Sequence, residues 1–579
     1  MSYLDVPRLH FAGRFFADPS TINNAGGNYA LPAAAIDSRL ASPTLSPGSP
    51  LLWNPRGKHW FYLDACAVGA CRDSTGTIRT TAAGAAGDPV VGGTVESTNS
   101  PTYAKLVDLD PEMQFASAVF GLEIKLTLPG GHGGFVGRLA PVPMRDLWFG
   151  RAGGGMPGAA GVYQSVLTGI TWDTSVRSPV LDQLRAASQA ILSVKFVAYA
   201  YSPDGGPDVN APPPPALAAT FCRGKVVGTI GPGQLSEPQH FPADRLLTDG
   251  ANGPAGTKNN TWKGAYGPAP FKVDVARKKL VIDLGNTMPE VAPGGNRRDE
   301  AGSKLTAVIK TGPATTTTIG DLDFTRIHYE QTAGIEELSL TTAQLASLRT
   351  KPLTLVHRKV LAPTVLIEHA AGRYLDVSHI AFRLNPGESQ LVRFHVRTFG
   401  EPKPAAQVIG LKILGGAPPG GLTVPPNLAS VAGATVTTAA GVAAVTFTAG
   451  DPATPRPALD GQLYKVGFYW GAAAAGDLRG VIFIRVFDQY KIVASPVYAD
   501  VSPILEPYSK LYPFMKAWVD LGARNAIVAY RAGHPGDADR AKLMLDLGED
   551  DPRYMPVTRD LSSSKRKVLL DWLNRGAPA

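Results

Sequence analysis

At 579 residues the chain is too long for one ordinary core, so two to four domains are expected. Gly and Pro (63 and 50) make up nearly a fifth of it and charged residues only 18%, a balance that favours many short strands joined by long turns over helical bundles. The formal charge of +8 is spread without the basic, aromatic-interleaved stripe of a nucleic-acid binder, and no apolar run approaches the ~18 residues of a membrane span, so neither partner is expected.

Residues 5–24 read DVPRLHFAGRFFADPSTINN. From Leu9 the run alternates: Leu9, Phe11, Gly13, Phe15 and Ala17 on one face, and His10, Ala12, Arg14, Phe16 and Asp18 on the other. Period two between Pro7 and Pro19 predicts a strand, and two phenylalanines on one face place it in a large core. The opening has neither a basic n-region nor a continuous apolar run, so the mature chain is expected to begin here.

Residues 31–56 read as a loop, followed by a second strand over Lys58–Val68 and a glycine-rich loop over 83–93. Ala104–Asp110 and Phe115–Thr127 read as one strand each, with extended pieces at Arg145–Phe149 and Val162–Thr168. Ser178-Pro179 starts a short helix to Ala190, with Ser at the cap and Pro in the first turn. Strands are expected over Leu192–Ala200, Phe221–Ile230 and Lys272–Leu284, with Pro212–Pro215 as a stiff connection. A helix near Thr341–Leu348 closes one large β-rich unit over 1–350. From 362 to 500 the spacing shortens: Thr364–His369, Ser389–Thr398, Val408–Leu414, Ala443–Ala449, Leu463–Trp470 and Val481–Phe487 predict an immunoglobulin-like antiparallel sandwich. On its strand 389–398, Arg393, His395 and Arg397 read as a solvated face. Residues 501–579 are helical: a helix from Ser502-Pro503, its start delayed by Pro507, another over Asp537–Leu547, and a third with Val568, Leu569, Trp572 and Leu573 on its apolar face. The fold class is thus mainly β: a large N-terminal β-rich unit, the sandwich, and a small helical C-terminal region.

Three cysteines, 66, 71 and 222, leave an odd thiol and suit a reducing, cytoplasmic compartment. Cys66 and Cys71 lack the second pair zinc would need, so buried inert thiols are expected, and all three are expected free. Glu237-x-x-His240 is the only Glu-x-x-His, and Pro238 within it rules out the helical i, i+3 geometry of a di-iron site. No nucleophile elbow, His-Glu-x-x-His or phosphate loop is present, so no catalytic residue and no metal ligand is assigned. His10, Arg14 and His59 are the candidate pocket residues. For both histidines a hydrogen-bonded structural role competes with pocket or haem ligation, and nothing singles out one of ten histidines as a haem ligand.

Pro7-Arg-Leu-His-Phe-x-Gly13 resembles the opening of the iminophenylpyruvate dimer synthases of bisindole pigment pathways (violacein, rebeccamycin, staurosporine). Further segments are similar: Gly57-x-His59, Val107-Asp108-x-Asp110-Pro111, Pro242-Ala243-x-Arg245-Leu246-Leu247, and Tyr554-Met-Pro-x-Thr-Arg-x-Leu-Ser562 followed by Lys565. The resemblance implies the β-rich N-terminal half of such an enzyme without its ferritin-like domain. It implies a non-catalytic scaffold or substrate-channelling module in secondary metabolism, acting with a separate ferritin-like or oxidase chain. Two other functions fit the residues: a self-sufficient oxidoreductase, haem-dependent or otherwise, that couples aromatic imines, and a sandwich that binds a glycan or a protein.

Overall fold

A computed structural model describes residues 2–579 except 19–57, 85, 111–112, 150–158, 200–222, 238–241, 250–265, 292–295, 299–304, 323, 359–363, 403–407, 416–420, 425–426, 429–435, 438–440, 455, 457–459, 472–476, 512–514, 517 and 534–539. The expected Pro212–Pro215 connection, Cys222 and His240 lie outside the described residues.

The first sheet contains β1 (Arg8–Asp18), β2 (Trp60–Arg72), β3 (Ile78–Arg79), β4 (Thr94–Ser97), β5 (Ala104–Asp110) and β6 (Met113–Phe120). It continues through β7 (Glu123–Thr127), β8 (Gly134–Leu139), β9 (Arg145–Phe149), β10 (Ala159–Asp173), β11 (Leu192–Tyr199) and β12 (Arg223–Pro232). Eight of these strands close into an antiparallel barrel in the order β1-β12-β11-β10-β8-β7-β4-β2, with β2 returning to β1. Eight strands leave an interior that side chains fill. Here Leu9, Phe11, Phe15, Phe61 and Phe196 fill it, with rings such as Tyr163 and Phe196 stacked at 4.9 Å. The first strand therefore points Leu9, Phe11, Phe15 and Ala17 inward, as its alternation requires. Gly13 is the inward position without a side chain, because a Cβ there would lie 2.4 Å from the Cα of Cys66. The β1–β2 register slips at this point.

Helix α1 (Pro179–Ala187) covers the barrel core with Val180, Leu181 and Leu184. Ser178 caps it by accepting from the Leu181 N–H, and Pro179 sits in the first turn. The stretch expected as a single strand over Phe115–Thr127 is two, β6 and β7, because Gly121 between them takes φ +70° and turns the chain.

A second sheet forms from β13 (Arg245–Thr248), β14 (Ala269–Asp274), β15 (Lys279–Asp283), β16 (Leu305–Lys310), β17 (Thr316–Leu322), β18 (Ile335–Ser339), β19 (Leu353–His357) and β20 (Thr364–Glu368). Its order is β17-β16-β19-β20-β13-β14-β15-β18. Helices α2 (Arg326–Thr332) and α3 (Thr342–Leu348) accompany it, the latter with the Thr341–Gln344 capping box. Its core takes in Val162, Val197, Tyr199 and Val227 from the outer face of the barrel, so the two sheets share buried surface. The segment read as one β-rich unit therefore holds two sheets. Thr364–Glu368, read as the first sandwich strand, pairs instead with β13 and β19. Lys272–Leu284 is a hairpin, since Val275–Lys278 turn the chain between β14 and β15.

The sandwich packs two sheets around one core. One holds β21 (Arg373–Val377), β23 (Ser389–Thr398), β24 (Glu401–Pro402), β26 (Leu422–Thr423), β28 (Val436–Thr437) and β29 (Val442–Ala449). The other holds β22 (Ala381–Leu384), β25 (Ile409–Leu414), β27 (Asn427–Leu428), β30 (Gln462–Trp470) and β31 (Asp477–Val486). Val392, Phe394 and Val396 of β23 meet Val466 and Phe468 of β30 between the layers, with Phe394 and Phe468 edge to face at 5.8 Å. This is immunoglobulin-like architecture, in which β22 lies parallel beside β31. The opposite face of β23 is only partly solvated: Arg393 is exposed, whereas His395 and Arg397 are half-buried.

The C-terminal region comprises α4 (Tyr498–Leu511), α5 (Arg524–Gly533), α6 (Arg540–Asp546) and α7 (Ser563–Asn574). Helix α4 starts ahead of Ser502 and carries Pro503 and Pro507 inside it. Each proline removes an intrahelical bond; burial of Val501 and Ile504 against Val568, Leu569, Trp572 and Leu573 offsets the loss. Among the described residues, no helix is long and apolar enough to cross a membrane.

Candidate ligand cleft

The outward face of β1 carries Arg8, His10, Ala12, Arg14 and Phe16, and it separates the three sequence candidates rather than joining them to one pocket. Arg8 is wholly buried and ion-pairs with Glu337 of β18. Arg277 and Arg72 approach the same carboxylate at 3.2 and 3.7 Å. Burial works to raise the Glu337 pKa, but the three guanidinium groups overcome it and hold the carboxyl below its ordinary value. The same crowding tells on Arg8, which burial brings down to about 10.

His10 lies inside this cationic seam, fully buried, with Nε2 3.4 Å from the Arg8 Nε and, among the described residues, no partner at Nδ1. Burial, then the charges of Arg8 and Arg72, push its pKa well below the ordinary histidine value, so the ring is neutral. His59, at the foot of β2, is also buried, with φ +57° and its Nδ1 3.2 Å from the Leu106 carbonyl.

Arg14 is the candidate that lines a cleft. It is exposed, two residues beyond Ala12, and stands opposite Lys225 of β12. Tyr199 of β11 stands opposite Lys225 on that strand's other side, so Tyr199, Lys225 and Arg14 form a row across three strands. One step along, Arg223 pairs with Phe16. With Glu330 of α2 these residues enclose about 340 Å³ over a floor of Ala12, Gly13, Gly224 and Val226. Lys225 reaches Glu330 at 3.3 Å, and Asp64 of β2 faces Arg14 across the strand pair. The cleft thus has three cations against Glu330, with Asp64 beside Arg14, an apolar floor, and walls from the first sheet and from helix α2.

Beside it lies a row of rings that the sequence does not join. Phe16 stacks on Tyr62 at 5.0 Å, Tyr62 on Tyr103 at 4.2 Å, and Trp60 meets Tyr103 edge-on at 5.4 Å. The period-two alternation of β1 and β2 puts Phe16 and Tyr62 on one face, but only their register makes them neighbours.

A further cleft of about 280 Å³ sits where the barrel, the sandwich and the 549–550 segment meet, lined by Val107, Phe120, Phe382 and Arg383 among others. Cys66 and Cys71 are buried free thiols, and burial raises both to about 12, which makes them inert. Glu237 accepts from the Ser2 N–H at 3.0 Å. Among the described residues, no group of three His, Cys, Asp or Glu side chains is placed to hold a metal ion.

No protein-family profile and no curated protein sequence matches the chain. Among solved structures, the ectodomain of the teleost fish polymeric immunoglobulin receptor aligns over 37% of this chain and 92% of its own, at 10% identity and a TM-score of 0.16. At that score the likeness carries no weight for fold or function.

Proposed function

We propose that the chain is a non-catalytic scaffold or substrate-channelling module of a dimer-synthase-like oxidative system in secondary metabolism, with the oxidative chemistry supplied by a separate ferritin-like or oxidase chain. The observation that carries this reading is that, besides buried pairs inside a unit such as Arg245–Glu368, four sets of ion pairs bridge the seams between units. Asp376 of the sandwich takes a two-pronged bond from Arg145 of the barrel sheet, both contacts at 2.6 Å. Asp110 of the barrel sheet, wholly buried, receives Arg456 at 2.7 Å and Arg485 at 3.3 Å from the sandwich. Lys195 crosses to Asp283 of the second sheet at 2.8 Å, and Lys565 of α7 reaches Asp460 of the sandwich at 3.3 Å. A protein whose ionisable groups lock its units together is suited to holding a surface in a fixed relation to a partner. Trp518 and Leu543, both more than half exposed in the helical region, support that region as the docking surface.

The test is metal analysis, a visible spectrum and an imine-coupling assay on the purified full chain. The expected result is no stoichiometric iron, no visible band and no coupling by the protein alone. About one iron per chain, a haem band, or coupling without a second protein would overturn the proposal in favour of a self-sufficient oxidoreductase.

A further inference from the structure

We infer that the cleft at the β1–β12 seam is a binding site for a small organic anion, a carboxylate or phosphate ester carried on an apolar body. Its volume of about 340 Å³ lies within the range of small-molecule sites. The floor is short side chains and glycine backbone, where strands would otherwise project bulk. Above it Arg14 and Arg223 stand two residues apart across adjacent strands, a spacing at which both guanidinium groups can reach one anion. Lys225, between them and Tyr199, is held by Glu330 from the second sheet's helix. The ring of Tyr199, 2% exposed, walls the inner side. A neutral apolar ligand would leave the excess positive charge facing it, and a cation would be repelled, so an anion with an apolar body satisfies both walls and floor. The site stands whether or not the chain works with a catalytic partner.

The experiment is a fluorine NMR titration of the full chain at low salt with 4-fluorobenzoate, 4-fluorophenyl phosphate and, as the neutral counterpart, 4-fluorobenzyl alcohol. At least one anion should bind saturably and the alcohol should not; preference for the benzoate or for the phosphate identifies which anion the site takes. Arg14→Gln and Arg223→Gln, both at exposed positions, should each weaken binding about tenfold. Glu330→Gln should tighten it by releasing Lys225, and Lys412→Gln, exposed on β25, should change nothing. Failure of both anions to saturate, equal binding of the alcohol, or affinity unchanged in both arginine variants would overturn the site.

Discussion

His10 shows how one side chain reports on its surroundings. It is flanked by Arg8 on its own strand, Arg72 on β2 and His328 on α2, and Glu337 and Glu336 of β18 pair with Arg8 and His328. Because its native pKa is depressed, the unfolded chain takes up a proton below about pH 6.5 that the native ring refuses. Stability from this residue is therefore complete above that pH and falls as the pH drops towards the native value, by about 1.4 kcal/mol per pH unit. Denaturant melts between pH 7 and pH 5 should show a shallower loss in His10→Leu than in the parent; equal slopes would mean the ring is not buried neutral. Its neighbours on the strand's other face make a different demand. Phe11 and Phe15 are 0% and 1% exposed inside the barrel, so either one changed to Ala should cost about 3–5 kcal/mol in a urea melt. Variants that melt like the parent would show this strand to be peripheral.

At the scale of elements, strand β1 was legible because alternation is a local property, and so were α1, α3 and α7, whose caps are written in adjacent residues. What was not legible depended on register. Nothing local says that Gly13 must be glycine; the reason is Cys66, which pairing brings against it. Gly13→Ala should therefore strain the β1–β2 pairing and destabilise by about 1–3 kcal/mol, read as a lowered denaturation midpoint. An unchanged midpoint would show the two strands free to separate at the slip. Much of the second sheet is not legible for a related reason: β16 to β19 are short, and β17 reads as a polar threonine run that gains its place only by pairing with β16. In α7, Lys565, Arg566 and Lys567 stand in the first turn, where the helix dipole disfavours cations. Asp460, the Leu545 carbonyl and Asp571 receive them, which ties α7 to the sandwich and to α6.

Across the whole molecule, the candidate site was legible only in part. Arg14 is legible because it shares a strand with the aromatic run, but Lys225, Arg223, Tyr199 and Glu330 come from segments roughly 185 to 315 residues away, and spacing cannot join them. The seams were equally hidden, since Asp110 and Arg485, or Arg145 and Asp376, meet only once both sheets exist. These contacts make the units one support, and removing one partner leaves a buried charge uncompensated at a cost of about 3–5 kcal/mol. Asp110→Asn would strand Arg456 and Arg485 together. Scanning calorimetry of the parent and of Asp110→Asn tests this most directly: the parent should unfold with barrel and sandwich in a common transition, and the variant should show the sandwich melting separately at lower temperature. Separate transitions already present in the parent, or a variant whose trace superimposes on it, would contradict a scaffold locked by its buried charges.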